Sequence, residues 1–145
     1  MNRAASQIAT EAQIQIAMVG WLRIVLPPTA IVHHAKNEGN RGGRLGQMDG
    51  GKAQAMGVRP GAPDLMIFWQ HDIYMIEVKA PGKNASRVQI LFREDMATNG
   101  FRHWGVARSI DDARRLLQEF ELPIRREKTA YQFPVIVPAS LRQVL

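Results

Sequence analysis

The segment Tyr74-Met75-Ile76-Glu77-Val78-Lys79-Ala80 sets a carboxylate and an ammonium into a run otherwise typical of a buried strand. Side chains two residues apart on a strand share a face, so Glu77 and Lys79 project together. Removing such charges from water costs several kcal/mol unless they are paired or bound. A second acid, Asp64, follows Pro63 at the entrance to another strand-like run, Leu65 to Trp69. Two carboxylates brought to one surface repel unless a proton or a cation lies between them. Oxygen donors in a chain without cysteine suit Mg²⁺ or Mn²⁺. Such an ion can activate water and neutralise charge on a phosphoryl oxygen. Lys79 could then orient the water or stabilise the transition state. The plain alternative is a structural Glu77–Lys79 ion pair on a half-exposed strand.

Convergence of the acids needs a particular hairpin. If the chain turns about Gln70-His71, facing residues have numbers summing to 141, so Asp64 faces Glu77. Directly opposed side chains on one face have Cβ atoms about 4.5–5.5 Å apart. A slip of one residue would separate the acids. Gln-His is not a favoured two-residue turn, so the register is an expectation to be tested.

The surrounding elements follow from apolar periodicity and punctuation. Ser6 to Leu26 reads as a first helix with Ile8, Ala12, Ile16, Val19 and Leu22 as its inner stripe, stopped by Pro27-Pro28. A short strand is expected around Ala30 to His34. Leu65 to Trp69 and Ile73 to Ala80 form the hairpin. Ser86-Arg87-Val88-Gln89 is a capping box opening a helix that Asn99-Gly100 closes. Phe101 to Ala107 is a further strand. Ser109 caps a last helix with Ala113, Leu116, Leu117 and Phe120 inward, and Tyr131-Gln132-Phe133-Pro134-Val135-Ile136-Val137 is strand-like. The order predicts an α/β fold, a mixed central β-sheet flanked by helices, in one domain spanning residues 1–145.

Between Gly39 and Gly61 lie eight of the chain's 12 glycines, with Lys36, Arg41, Arg44, Lys52 and Arg59 in and beside them. Long loops of this kind are functional or disordered, and a basic glycine-rich one can bring amides and cations to phosphates. A helical turn is expected near Lys52 to Met56. The net charge is +6, and 14 of the 19 basic residues are arginine, which makes nucleic acid the leading partner class. No apolar run of 18 residues occurs and the first residues lack a secretory pattern, so a cytoplasmic protein with no membrane span is expected.

Together, Gly-Val-Arg-Pro-Gly-Ala-Pro-Asp64-Leu-Met-Ile-Phe, Tyr-Met-Ile-Glu77-Val-Lys79-Ala-Pro-Gly-Lys-Asn-Ala-Ser-Arg-Val-Gln89 and Gly-Phe leading to Val-Ala-Arg-Ser-Ile-Asp-Asp-Ala resemble the PD-(D/E)XK nucleases. The resemblance is nearer to their VRR-NUC (virus-type replication-repair nuclease) branch, covers roughly Gly57 to Ala113, and implies a restriction-endonuclease-like core. It also implies metal-dependent hydrolysis of DNA phosphodiesters, with Asp64 and Glu77 as metal ligands and Lys79 as catalytic lysine. Gln89 would be the active-site glutamine, although it also has a local role in the capping box. Glu11 would be the acid on the first helix, or else a solvated helix residue. Short stand-alone members look like Holliday-junction resolvases, so branched DNA and a homodimer are the implied partners. One chain of this length has little room for two active sites, and cutting both strands needs two copies.

Other readings are weaker. Gly46 to Ala53 matches a phosphate-binding P-loop except at its last position, where Ala53 cannot ligate Mg²⁺, and no strand precedes it. No nucleotide cofactor is therefore expected. His33 and His34 point to opposite faces of a strand and should not share one ion. Trp69 and Trp104 are expected in the core. The main rival is a non-catalytic DNA- or junction-binding module, against which two acids facing a polyanion count.

Overall fold

Thr10 begins the first helix: its hydroxyl accepts the Gln13 amide while the Gln13 side chain accepts the Thr10 N–H at 2.9 Å. This reciprocal cap satisfies two of the amides that a helix start leaves unpaired. The computed structural model describes residues 8–35 and 51–125. They form α1 (Glu11–Val25), β1 (Ile31–His34), β2 (Leu65–Trp69), β3 (Asp72–Val78), α2 (Arg87–Thr98), β4 (His103–Ala107) and α3 (Ile110–Glu119). A helical turn at residues 51–55 precedes β2. Lys36, Arg41, Arg44 and the strand-like segment 131–137 lie outside the described residues.

The strands form one sheet in the order β1-β2-β3-β4. The first two pairings are antiparallel, and β3 and β4 run parallel with α2 as their connection. The expected mixed sheet flanked by helices is what the chain builds. The hairpin register is also the expected one: Leu65 faces Ile76 and Trp69 faces Asp72. Gln70 and His71 both turn with positive φ, 45° and 67°, the left-handed pair that a tight two-residue turn requires. Neither residue is glycine, so the turn carries a conformational cost of about 1–2 kcal/mol per residue, offset by the strand pairing it permits.

One face of the sheet carries Leu65, Ile67, Tyr74, Ile76, Val78 and Ala107 into a core shared with α1 and α3. From α3, Ala113, Leu116 and Leu117 are buried, as their spacing predicts. Gly105 of β4 lets α3 lie this close, since a Cβ there would run into the Leu116 side chain.

The inner stripe of α1 differs from expectation. Ile14, Met18, Trp21, Leu22 and Val25 are buried, whereas Ile8 and Ile16 are 76% and 74% exposed. The helix is apolar around most of its circumference, so two stripes satisfy a three- and four-residue spacing and packing selects one of them. Its described extent is also shorter, beginning at Glu11 instead of Ser6. Trp69 lies partly buried against the core. Trp104 departs from the core assignment. It is partly exposed on the opposite face, beneath the Arg93 guanidinium 5.4 Å from its ring centroid.

Candidate functional site

The opposite face of the sheet holds Glu77, the one charged side chain buried among the described residues, at 1% exposure. It comes from β3, one of the two central strands of the sheet, with neighbours on both edges. Its Oε1 receives the Lys79 ammonium at 2.8 Å and the Gln89 Nε2–H at 2.5 Å. Its Oε2 is buried and has no hydrogen-bond partner among the described residues. A buried carboxylate oxygen without a donor is costly, and it marks a place where a proton or a cation belongs.

Asp64 stands one residue before the first β2–β3 pair. Its Oδ2 accepts the Val78 N–H at 2.9 Å, so the carboxylate supplies the next rung of the ladder. That bond turns the side chain toward Glu77, so that the charge of the Asp64 carboxylate is felt by the Glu77 carboxyl. Burial, then the Asp64 carboxylate, pushes the Glu77 pKa up to about 7 against the bonding and charge of Lys79. Burial works against the Lys79 ammonium as well. Its bond to Glu77 and the charges of Glu77, Glu11 and Asp64 outweigh that, and its pKa is raised.

Gln89 serves two partners with one amide. Its oxygen accepts the Ser86 N–H at 2.7 Å, closing the capping box, while its nitrogen reaches Glu77. The capping contact and the contact with Glu77 coexist because the first turn of α2 lies over Glu77.

Glu11, in the first turn of α1, accepts the Ala80 N–H on its Oε1 at 3.1 Å. It fixes the end of β3 just past Lys79 and adds negative charge near that ammonium. It does not join Asp64 and Glu77 in a three-acid cluster: among the described residues no three His, Cys, Asp or Glu side chains gather so as to hold a metal ion. One residue that sequence reasoning did not place in the site, His34, touches it, and a second, Gln15, reaches it through the first. His34 Nδ1 lies 2.7 Å from the Asp64 carbonyl oxygen and 3.0 Å from the Gln15 amide. Neither carries a spacing signal, since both act through contacts between distant segments.

Of the proposed DNA contacts, Lys52 is exposed on the helical turn. Arg59 is exposed too, but its guanidinium is paired with Asp95 of α2.

The donor set fits a hard dication. Asp64 and Glu77 each commit one carboxylate oxygen to protein donors, and the buried Oε2 of Glu77 is left without one. All the candidate ligand atoms are oxygens, the type that Mg²⁺ and Mn²⁺ prefer.

No protein-family model matches this sequence, and no curated protein matches it. Among solved structures, the chain is similar to one described as a VRR_NUC domain protein, with a TM-score of 0.60 and 23% identity. The similarity covers 79% of this chain and 89% of that one. The two share a fold: the mixed four-stranded sheet and its flanking helices. No helix among the described residues is long and apolar enough to cross a membrane.

Proposed function

We propose that this chain, built on the fold of a VRR_NUC domain protein, is a metal-dependent DNA endonuclease. One observation carries the reading. A buried acid with an unpartnered oxygen interacts with a second acid, and the lysine two residues on from the first is held beside them. A purely structural Glu77–Lys79 pair would explain the 2.8 Å contact but leaves the buried Oε2 without a partner.

Asp64 and Glu77 would hold Mg²⁺ or Mn²⁺, which when bound supplies charge neutralisation at a scissile phosphate and lowers the pKa of water. The chain's own groups set the rest. Lys79 stays cationic, so it can donate hydrogen bonds to a nucleophilic water or to a developing phosphoryl charge. Gln89 and Lys79 both grip Glu77 Oε1, which fixes the direction in which Oε2 is presented. Glu11 anchors the backbone at Ala80, limiting the drift of Lys79.

The net charge of +6 and the exposed Lys52 support DNA as the polyanionic substrate. Branched DNA, including four-way junctions, is the proposed preference, with a homodimer presenting two sites to opposite strands. The test is a panel of duplex, single-stranded, flapped and four-way DNAs incubated with Mg²⁺, Mn²⁺ or EDTA. Cleavage of branched substrates that EDTA abolishes and either ion restores is expected. DNA binding without cleavage under every metal condition would leave a non-catalytic binding module instead. Gel filtration with bound junction should give two chains per complex.

A further inference from the structure

Asp64 is held at two atoms, and one of them is bonded by a residue that no charge or motif marks. Its carboxylate Oδ2 accepts the Val78 N–H at 2.9 Å, and its backbone carbonyl oxygen lies 2.7 Å from His34 Nδ1. The β1–β2 ladder ends at the His34–Leu65 pair, and the β2–β3 ladder ends at Leu65–Ile76. Asp64 therefore lies past the last rung on both sides, where backbone pairing no longer sets its orientation. The imidazole supplies the constraint that the sheet does not.

A carbonyl oxygen can only accept, so we assign the His34 proton to Nδ1, with the ring donating to Asp64. The Gln15 Nε2 lies 3.0 Å from the same nitrogen, and a protonated Nδ1 requires this amide to be turned so that its oxygen faces the ring. Gln15 belongs to α1, one turn after Glu11, and Glu11 accepts the Ala80 N–H beyond Lys79. The first turns of α1 thus steady both strand ends of the site: β3 directly, and Asp64 through His34.

We propose that His34 is a positioning residue for Asp64, holding the peptide so that the carboxylate meets Val78 and faces Glu77. The inference rests on the reading of Asp64 as a site residue but makes a claim that metal-free protein can test. His34→Leu removes the donor, whereas His34→Asn places an amide N–H near the position of Nδ1. Amide hydrogen exchange in the metal-free protein reads the outcome at two neighbouring groups. Val78 N–H bonds Asp64, while Lys79 N–H bonds the Ala107 carbonyl at 3.1 Å on the other side of β3.

The expected result is exchange at Val78 at least about tenfold faster in His34→Leu, with Lys79 unchanged and His34→Asn close to wild type. Mn²⁺ affinity, measured by calorimetry, should fall by about 10- to 100-fold in His34→Leu and recover in His34→Asn. Continued protection of Val78 in His34→Leu would overturn the proposal. So would equal acceleration at Val78 and Lys79, the mark of general destabilisation. If wild type bound no Mn²⁺ at all, the nuclease reading would fail, and the exchange data would still decide whether His34 orients Asp64.

Discussion

Gln89 donates its Nε2–H to Glu77 Oε1 while the oxygen of the same amide accepts the Ser86 N–H. One side chain thereby joins the start of α2 to the buried carboxylate of β3. Substituting it separates two consequences. Gln89→Leu should lose the capping interaction, at about 1 kcal/mol of stability, together with most cleavage. Gln89→Glu can keep the reciprocal cap but sets a second carboxylate against Glu77, so its stability should fall as pH rises through neutrality and recover on acidification, when the pair shares a proton. Thermal melts paired with cleavage assays distinguish the two variants. Full activity in both would remove Gln89 from the site.

The Glu77 carboxyl titrates in the folded protein at about 7 against 4.5 for the ordinary group. A raised carboxyl pKa means that the folded state binds its proton more tightly than the unfolded state. The associated stability is therefore complete below pH 4.5 and is lost as pH rises toward 7. Metal-free wild type should lose on the order of 1–3 kcal/mol across that window. Glu77→Gln should lose less, because its amide carries no ionising proton. Urea denaturation at intervals from pH 4 to 8 measures both slopes, and parallel curves would contradict the assignment. Binding of Mg²⁺ should tighten through the same range, since the ion displaces the proton.

Gly61 adopts φ +83°, and a Cβ there would press into the Val88 backbone carbonyl at the first turn of α2. Gly61→Ala combines a left-handed backbone with a clash, and either alone is unfavourable. Relief requires α2 to move away, taking Gln89 with it. A loss of about 2–3 kcal/mol in stability is expected, together with weaker cleavage. Wild-type activity in a stable Gly61→Ala protein would show that the position of this helix does not matter.

Much of this arrangement was legible in the residues. Asp64, Glu77 and Lys79 could be placed together because strand parity and a two-residue turn leave few registers, and only one puts both acids opposite each other. The capping box of α2 and the Ser109 N-cap of α3 could be read because they are local. The inner face of α1 could not, because Ile16 and Ile14 are equally apolar and only the sheet decides which is covered. His34 and Gln15 escaped notice for a related reason. Their partners lie 30 and 19 residues away, and a histidine bonded to a carbonyl has no sequence periodicity.

Arg59 and Lys52 should differ as DNA contacts. Arg59 is already neutralised by Asp95, although both side chains are more than half exposed and the pair contributes no more than about 1 kcal/mol. Lys52→Ala should lower the slope of log affinity against log salt by about one. Arg59→Ala should change it less, and Asp95→Asn should strengthen binding at low salt by releasing the arginine. Fluorescence anisotropy across a salt series checks all three. Identical slopes in wild type and Lys52→Ala would exclude the helical turn from the DNA surface.

The central claim is that Asp64 and Glu77 together hold a divalent cation. Calorimetric titration of Mn²⁺ into wild type, Asp64→Asn and Glu77→Gln at pH 8 tests it most directly, with circular dichroism confirming that each variant is folded. Binding by wild type and at least about tenfold weaker binding by both folded variants is the expected result. Equal Mn²⁺ affinity in all three proteins would contradict it.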